Sequence, residues 1–136
     1  MTKIAKNNLE EKKAKLLETY ESLKALQKLS LDDLRNNKGN LWAVSYGLVV
    51  AIESVFDIGQ HILSSMGQKV DSYGKIIPEL YQNKIISKSI HDKMKGVVNF
   101  RNIAIHNYPG LNEELVYKFL QENISDFKLF LKHIVI

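Results

Sequence analysis

The sequence contains no cysteine, which excludes disulfide bridges and thiolate metal sites. It contains two prolines, Pro78 and Pro109, so long uninterrupted helices are permitted. β-branched alternation is scarce, which argues against sheets. There is no internal repeat and no low-complexity tract. No run of about 18 apolar residues occurs, so no membrane span is expected. The N-terminal stretch MTKIAKNNLEEKKAK lacks the apolar core of a signal peptide, which predicts a protein that is not exported. No P-loop, dinucleotide fingerprint or nucleophile elbow is present. The histidines, His61, His91, His106 and His133, show no zinc-ligand spacing. Charge of one sign is also lacking: nineteen Lys and Arg face fifteen Asp and Glu, a net of +4 that does not by itself argue for nucleic acid.

What remains is an ordinary globular composition, 45% hydrophobic and 25% charged over 136 residues, with apolar residues at helical spacing almost throughout. This predicts one all-α domain over 1–136. A first helix is expected from about Thr2 to Leu29, with Leu9, Leu16, Tyr20 and Leu23 as its apolar stripe. NNKGN at 36–40 is the clearest break. A second helix is expected from Leu41 to Met66, apolar on one face through Leu41, Val44, Leu48, Ile52, Val55 and Ile62. Its other face carries Trp42, Tyr46, Val49 and Val50, then Glu53, Asp57 and His61, so it should pack on two sides, against another helix or a second subunit. GQKVDSYG at 67–74 is expected to be a loop. A short helix should follow over 75–82, with Pro78 in its first turn. A fourth helix is expected over Ser87–Asn107, stopped by Pro109. A last helix over Glu113–His133 should face the core with Leu115, Phe119, Phe127, Phe130 and Ile134. Short connections favour antiparallel neighbours, hence an up-and-down four-helix bundle with an extra short helix.

The fourth helix divides into an apolar and a basic side. At about 100° per residue, Ile86, Ile90, Met94, Val97, Phe100 and Ala104 share one side. Lys88, Lys95, Asn99, Asn102 and His106 share the other. From Lys84 to Arg101 there are five Lys or Arg and one acid, Asp92. That stripe is either a solvated face or the approach for an anionic partner, with Lys88 and Lys95 as the candidates that would meet it. Arg101 falls within the apolar arc, as does Tyr108. An unpaired buried guanidinium is costly, so Arg101 should pair with Glu53 or Asp57, or open into a cleft and meet an anion there. His106 could simply complement the helix dipole. Arg101 and His106 sit about 140° apart on an ideal helix. Convergence on one ligand therefore requires that the helix unwind before His106, that the Arg101 side chain curl round, or that two copies meet. Asp57 and His61, i and i+4 neighbours, could pair with each other.

The stretch RNIAIHNY, Arg101 to Tyr108, resembles the R-x4-H-x-Y signature of HepT toxins, small all-α proteins of the HEPN superfamily. AIESVFDIGQHI, Ala51 to Ile62, resembles the second-helix signature of that family. The segment from Tyr73 to Leu80 and the apolar last helix follow in the expected order. The resemblance implies a metal-independent endoribonuclease toxin that needs no cofactor, with tRNA among its substrates. It implies a cytoplasmic prokaryotic protein, while the two-sided second helix and the split of Arg101 from His106 lead us to expect a homodimer. It further implies an MntA-like nucleotidyltransferase antitoxin that attaches AMP to the motif tyrosine. Arg101 and His106 would then be catalytic and Tyr108 the modified residue; Asn102 also matches the motif as a supporting residue, and Glu53 and Asp57 are expected in support as the carboxylates that could pair with Arg101. The alternative is a non-catalytic module that binds nucleotide or serves as partner of a nucleotidyltransferase.

Overall fold

Thr2 starts the fold by accepting the Ala5 N–H with its hydroxyl at 3.0 Å. This satisfies a donor that the first helical turn leaves unpaired. The computed structural model describes residues 1–106 and 112–134, with the side chains of 104–106 outside that description. The expected PGLN turn therefore lies mostly outside the described residues, as do the His106 side chain and all of Tyr108.

The described residues form seven helices and no strand: α1 (Lys3–Leu26), α2 (Leu31–Asn36), α3 (Lys38–Ser65), α4 (Tyr73–Gln82), α5 (Lys88–His106), α6 (Glu113–Glu122) and α7 (Ser125–His133). The all-α expectation holds. α1, α3, α5 and the α6–α7 pair supply the long elements, while α2 and α4 are short additions. α3 is the axis of the assembly, packing against α1, α2, α4, α5 and α6, and α7 closes on α1 and α5. The expected stripe of α1, Leu9, Leu16, Tyr20 and Leu23, is buried. Leu48, Ile52, Val55, Ile58 and Ile62 of α3 are fully buried. Each such side chain contributes roughly 1.5–3 kcal/mol by leaving water.

Four boundaries differ from the sequence expectation. NNKGN is not a loop, because Asn37 caps α3 by accepting the Asn40 N–H at 3.2 Å. Lys38 and Gly39 are thus already helical, and the break shrinks to one residue. α2 was not expected. Its signal is the S-x-x-D capping box: Ser30 Oγ accepts the Asp33 N–H at 3.1 Å, and Asp33 Oδ2 accepts the Ser30 N–H at 2.8 Å. α4 begins at Tyr73, which puts Pro78 inside the helix rather than in its first turn. The last expected helix is two. Asn123 caps α6, and Ile124 turns into the core at 2% exposure before α7 begins.

No membrane span is expected from the sequence, and α3 is the one described helix whose length and hydropathy alone would allow one. α3 reaches a mean hydropathy of 1.6 over an 18-residue window, though 56% of that window is buried by the other helices. Its apolar residues serve as the shared wall of the core.

Candidate functional site

Arg101 lies one turn from the end of α5, and three contacts fix its surroundings. Phe100, the residue before it, is buried and stacks on Phe119 of α6 with ring centroids 4.3 Å apart. That stack anchors the α5 backbone and leaves the next side chain facing the side of α3. Arg101 Nε there donates to Glu53 Oε1 at 3.2 Å. The Arg101 guanidinium carbon lies 4.2 Å from the centroid of the Tyr73 ring and 5.8 Å from that of Phe56. Phe56 sits one turn after Glu53 on the same helix, and its ring is 5.1 Å from that of Tyr73. The cation is therefore held at one edge by a carboxylate and over one face by an aromatic ring.

Of the two carboxylates expected to meet Arg101, the structure chooses Glu53. Asp57 belongs to a different pair: it accepts from Lys12 Nζ of α1 at 2.8 Å. It does not pair with His61 either, since His61 Nε2 donates to the Ala5 carbonyl at 2.8 Å. Asp57 and His61 thus each tie α3 to α1. Glu53 and Asp57 nevertheless share a cleft of about 320 Å³ with Lys15, Val49, Gln60 and Tyr73. Glu53 is matched by Arg101 and Asp57 by Lys12, which leaves Lys15 as the added positive charge on that wall.

Tyr73, Phe56 and Lys12 were missed as site residues by sequence reasoning. Tyr73 sits where the sequence reads as a loop, and no periodicity links it to Arg101. Phe56 could have been found from its i+3 spacing to Glu53.

Along α5, Ile90, Met94, Val97 and Phe100 are buried as the wheel requires. Lys88, Lys95 and Asn102 are exposed and recur every seven residues, so they line one side of the helix. The row covers about 20 Å at 1.5 Å per residue. Asp92 interrupts it. The His91 Nδ1–H donates to Asp92 Oδ1 at 3.0 Å, and Lys95 Nζ stands 3.7 Å from the same oxygen. The His91 hydrogen bond, with help from the charges of Lys95 and Lys88, holds the Asp92 carboxyl below its ordinary value. α5 continues through His106, so the option of unwinding before His106 is set aside. Among the described residues, no three His, Asp or Glu side chains gather to hold a metal ion.

Among the described residues Arg101 hydrogen-bonds through Nε, and a guanidinium also carries a pair of Nη groups. Two parallel N–H donors of that kind match two oxygens of a phosphate. Comparisons with known proteins bear on the fold and the family. An mRNA nuclease HepT of Shewanella oneidensis is 31% identical over 80 residues, a match that covers 58% of this chain and 60% of that protein's length. A tri-AMPylated HEPN toxin of Shewanella oneidensis, solved in complex with an MNT antitoxin, superposes with a TM-score of 0.79. It is 25% identical, over 97% of this chain and 96% of its own. The cytosolic protein YutE of Bacillus subtilis shares the fold at a TM-score of 0.73 and 19% identity, over 92% of this chain and 87% of its own. The family model described as "Ribonuclease HepT-like" matches residues 16–134, and the chain belongs to that family.

Proposed function

We propose that this protein is a metal-independent endoribonuclease of a toxin–antitoxin pair, a single-domain cytoplasmic toxin in a prokaryote. The observation that carries this reading is Arg101, fixed between Glu53 and Tyr73, two residues that line one cleft, as the first residue of R-x4-H-x-Y. Arg101 binds the scissile phosphate and stabilises charge growing on its non-bridging oxygens. RNA supplies the nucleophile. The 2′-hydroxyl loses its proton to a neutral imidazole and its oxygen attacks phosphorus. The bond from phosphorus to the 5′-oxygen breaks, and an imidazolium protonates the leaving oxygen. The products carry 2′,3′-cyclic phosphate and 5′-hydroxyl ends. Acid–base help from His106 is worth about 10²–10⁴-fold.

A helical α5 separates Arg101 from His106 by about 140°, which favours a cleft completed by a second copy. In such a homodimer two histidines divide the acid and base roles. Asn102, Lys88 and Lys95 lie along the exposed side of α5 and serve the RNA approach. The substrate is RNA. The S. oneidensis relative is named an mRNA nuclease, while the motif resemblance points to tRNA, so both belong in the assay.

The partner is an MNT-type nucleotidyltransferase, supported by the AMPylated toxin complex that shares this fold. It transfers AMP to the Tyr108 hydroxyl and releases pyrophosphate from ATP. The added phosphodiester anion and nucleoside block a site built for RNA phosphate. The test is cleavage of tRNA and mRNA in EDTA by wild type, Arg101→Ala and His106→Ala. Loss of cleavage in both variants is expected. Equal activity of all three overturns the reading.

A further inference from the structure

Tyr73 opens α4 but is not what docks it. Ile76, Ile77 and Leu80 do that at 2%, 3% and 0% exposure, while Tyr73 remains 43% exposed. Its ring lies instead against Arg101, 4.2 Å from the guanidinium carbon, with Phe56 beside it at 5.1 Å. Glu53 constrains one edge of the guanidinium through Nε. One hydrogen bond leaves a long side chain free to pivot about that bond, and a ring over its face removes the pivot. Both constraints belong to the wall of one cleft, because Glu53 and Tyr73 line it together. The guanidinium is thereby held before any ligand arrives, which spares the reaction the ordering of that side chain.

We propose that Tyr73 is a positioning residue for Arg101, orienting the guanidinium toward an RNA phosphate beside that cleft. The proposal rests on the reading that Arg101 grips RNA. The contact is made by the ring, so Tyr73→Phe preserves it. Tyr73→Leu keeps apolar bulk but has no π-face, and Tyr73→Ala has neither. The charge Arg101 must meet grows on the way to the transition state, so a misaligned guanidinium lowers kcat more than it raises KM.

The experiment measures kcat, KM and thermal midpoint on a short RNA that the wild-type full chain cleaves. The proteins are wild type, Y73F, Y73L, Y73A, R101A and Y73A/R101A. Y73F should stay within about twofold of wild type. Y73L and Y73A should lose roughly tenfold in kcat, the scale of one cation–π contact at a partly desolvated site. Their thermal midpoints should stay near that of wild type. In the R101A background Y73A should add nothing, because the residue acts through Arg101. A Tyr73 effect that persists undiminished in R101A, or that tracks a fall in thermal midpoint, overturns the proposal.

Binding of the 2′-O-methyl form of the same RNA, which cannot be cleaved, is measured in parallel for all six proteins. If wild type cleaves nothing, the ribonuclease reading fails, and the binding series still decides the role of Tyr73. Weaker binding of Y73A only when Arg101 is present supports it. Where wild type cleaves, the kcat series decides; where it does not, equal binding of wild type and Y73A, or equal weakening in both backgrounds, overturns the proposal.

Discussion

Arg101 Nε and Glu53 Oε1 meet at 3.2 Å across 48 residues of sequence, joining α5 to α3 beside the cleft that Glu53 lines. The Arg101 side chain is 19% exposed and that of Glu53 is 38% exposed, so the pair is neither a surface ion pair nor a sealed one. Its removal should therefore cost between the two extremes. Glu53→Ala leaves a half-buried cation with only an aromatic face, and should destabilise by about 1–2 kcal/mol. Glu53→Gln keeps an acceptor for Nε and should recover most of that. Urea midpoints of the three proteins check this. Identical midpoints for wild type and Glu53→Ala would show that the pair contributes nothing to the fold.

The distance between α3 and α4 sets where Tyr73 stands, and Gly59 sets that distance. A Cβ at Gly59 would lie 2.6 Å from Ile76 Cγ2 and 3.1 Å from Leu80 Cδ1. Ile76 is branched at Cβ and yields little. Gly59→Ala should push α4 outward and destabilise by about 1–3 kcal/mol, despite the better helix propensity of alanine. Gly47 makes the contrast. Its Cβ would lie 2.8 Å from Leu23 Cδ2, the end of a longer and more flexible side chain. The propensity gain there, about 1 kcal/mol, offsets much of the clash. Thermal midpoints should thus rank Gly59→Ala well below Gly47→Ala, and the reverse order would contradict the packing described.

The helices themselves were legible because burial at 3.6-residue spacing leaves a pattern in the chain. Leu9, Leu16, Tyr20 and Leu23, and likewise Ile90, Met94, Val97 and Phe100, were placed correctly on that ground alone. The ends were less legible. Asn37 reads equally as a helix breaker and as a cap, and only the Asn40 N–H it accepts separates the two. At the site, Arg101 was legible as an anomaly in an apolar arc, and charge named Glu53 and Asp57 as its candidate partners. Which of them it takes depends on Lys12, a surface lysine on another helix that claims Asp57. Tyr73 was not legible as a partner. Its contact with Arg101 comes from the packing of α4 on α3 and leaves no trace in local sequence. For His106 and Tyr108, motif resemblance rather than geometry carries the assignment.

Asp126 gives a pH test of the same core. It sits in the first turn of α7 at 9% exposure, and burial raises its carboxyl above the ordinary value, against a side-chain hydrogen bond with Asn123 that lowers it. A raised folded-state value means that the native state binds the proton more tightly than the unfolded chain. The resulting stabilisation is present in full below the unfolded value, near pH 4, and is lost as pH rises through the folded value. Asp126→Asn removes the titration and keeps the shape. The stability difference between variant and wild type should therefore grow in favour of the variant as pH rises from about 4 toward neutrality. Thermal midpoints of both proteins across that range measure it, and a constant difference would rule out a raised Asp126.

The basic side of α5 makes the last prediction, and Asp92 makes it asymmetric. Lys95 stands 3.7 Å from an Asp92 carboxylate that its neighbours keep ionised, so part of its field is cancelled in place. Lys88 also acts on Asp92, but through charge alone and as the last of the lowering influences. If this row meets RNA, Lys88→Ala should weaken binding more than Lys95→Ala. Each lysine that touches a phosphate should carry about 0.7 of the logarithmic salt slope for a single strand. Asp92→Asn should do the opposite. It frees Lys95 and removes a repelling charge from the row, so affinity should rise severalfold at low salt, and the gain should fade as the Debye length shrinks to about 8 Å at 0.15 M. Titration of labelled RNA against the three variants at several salt concentrations tests this. A salt slope unchanged by any of them would mean that this side of α5 is only solvated and that RNA enters along another surface.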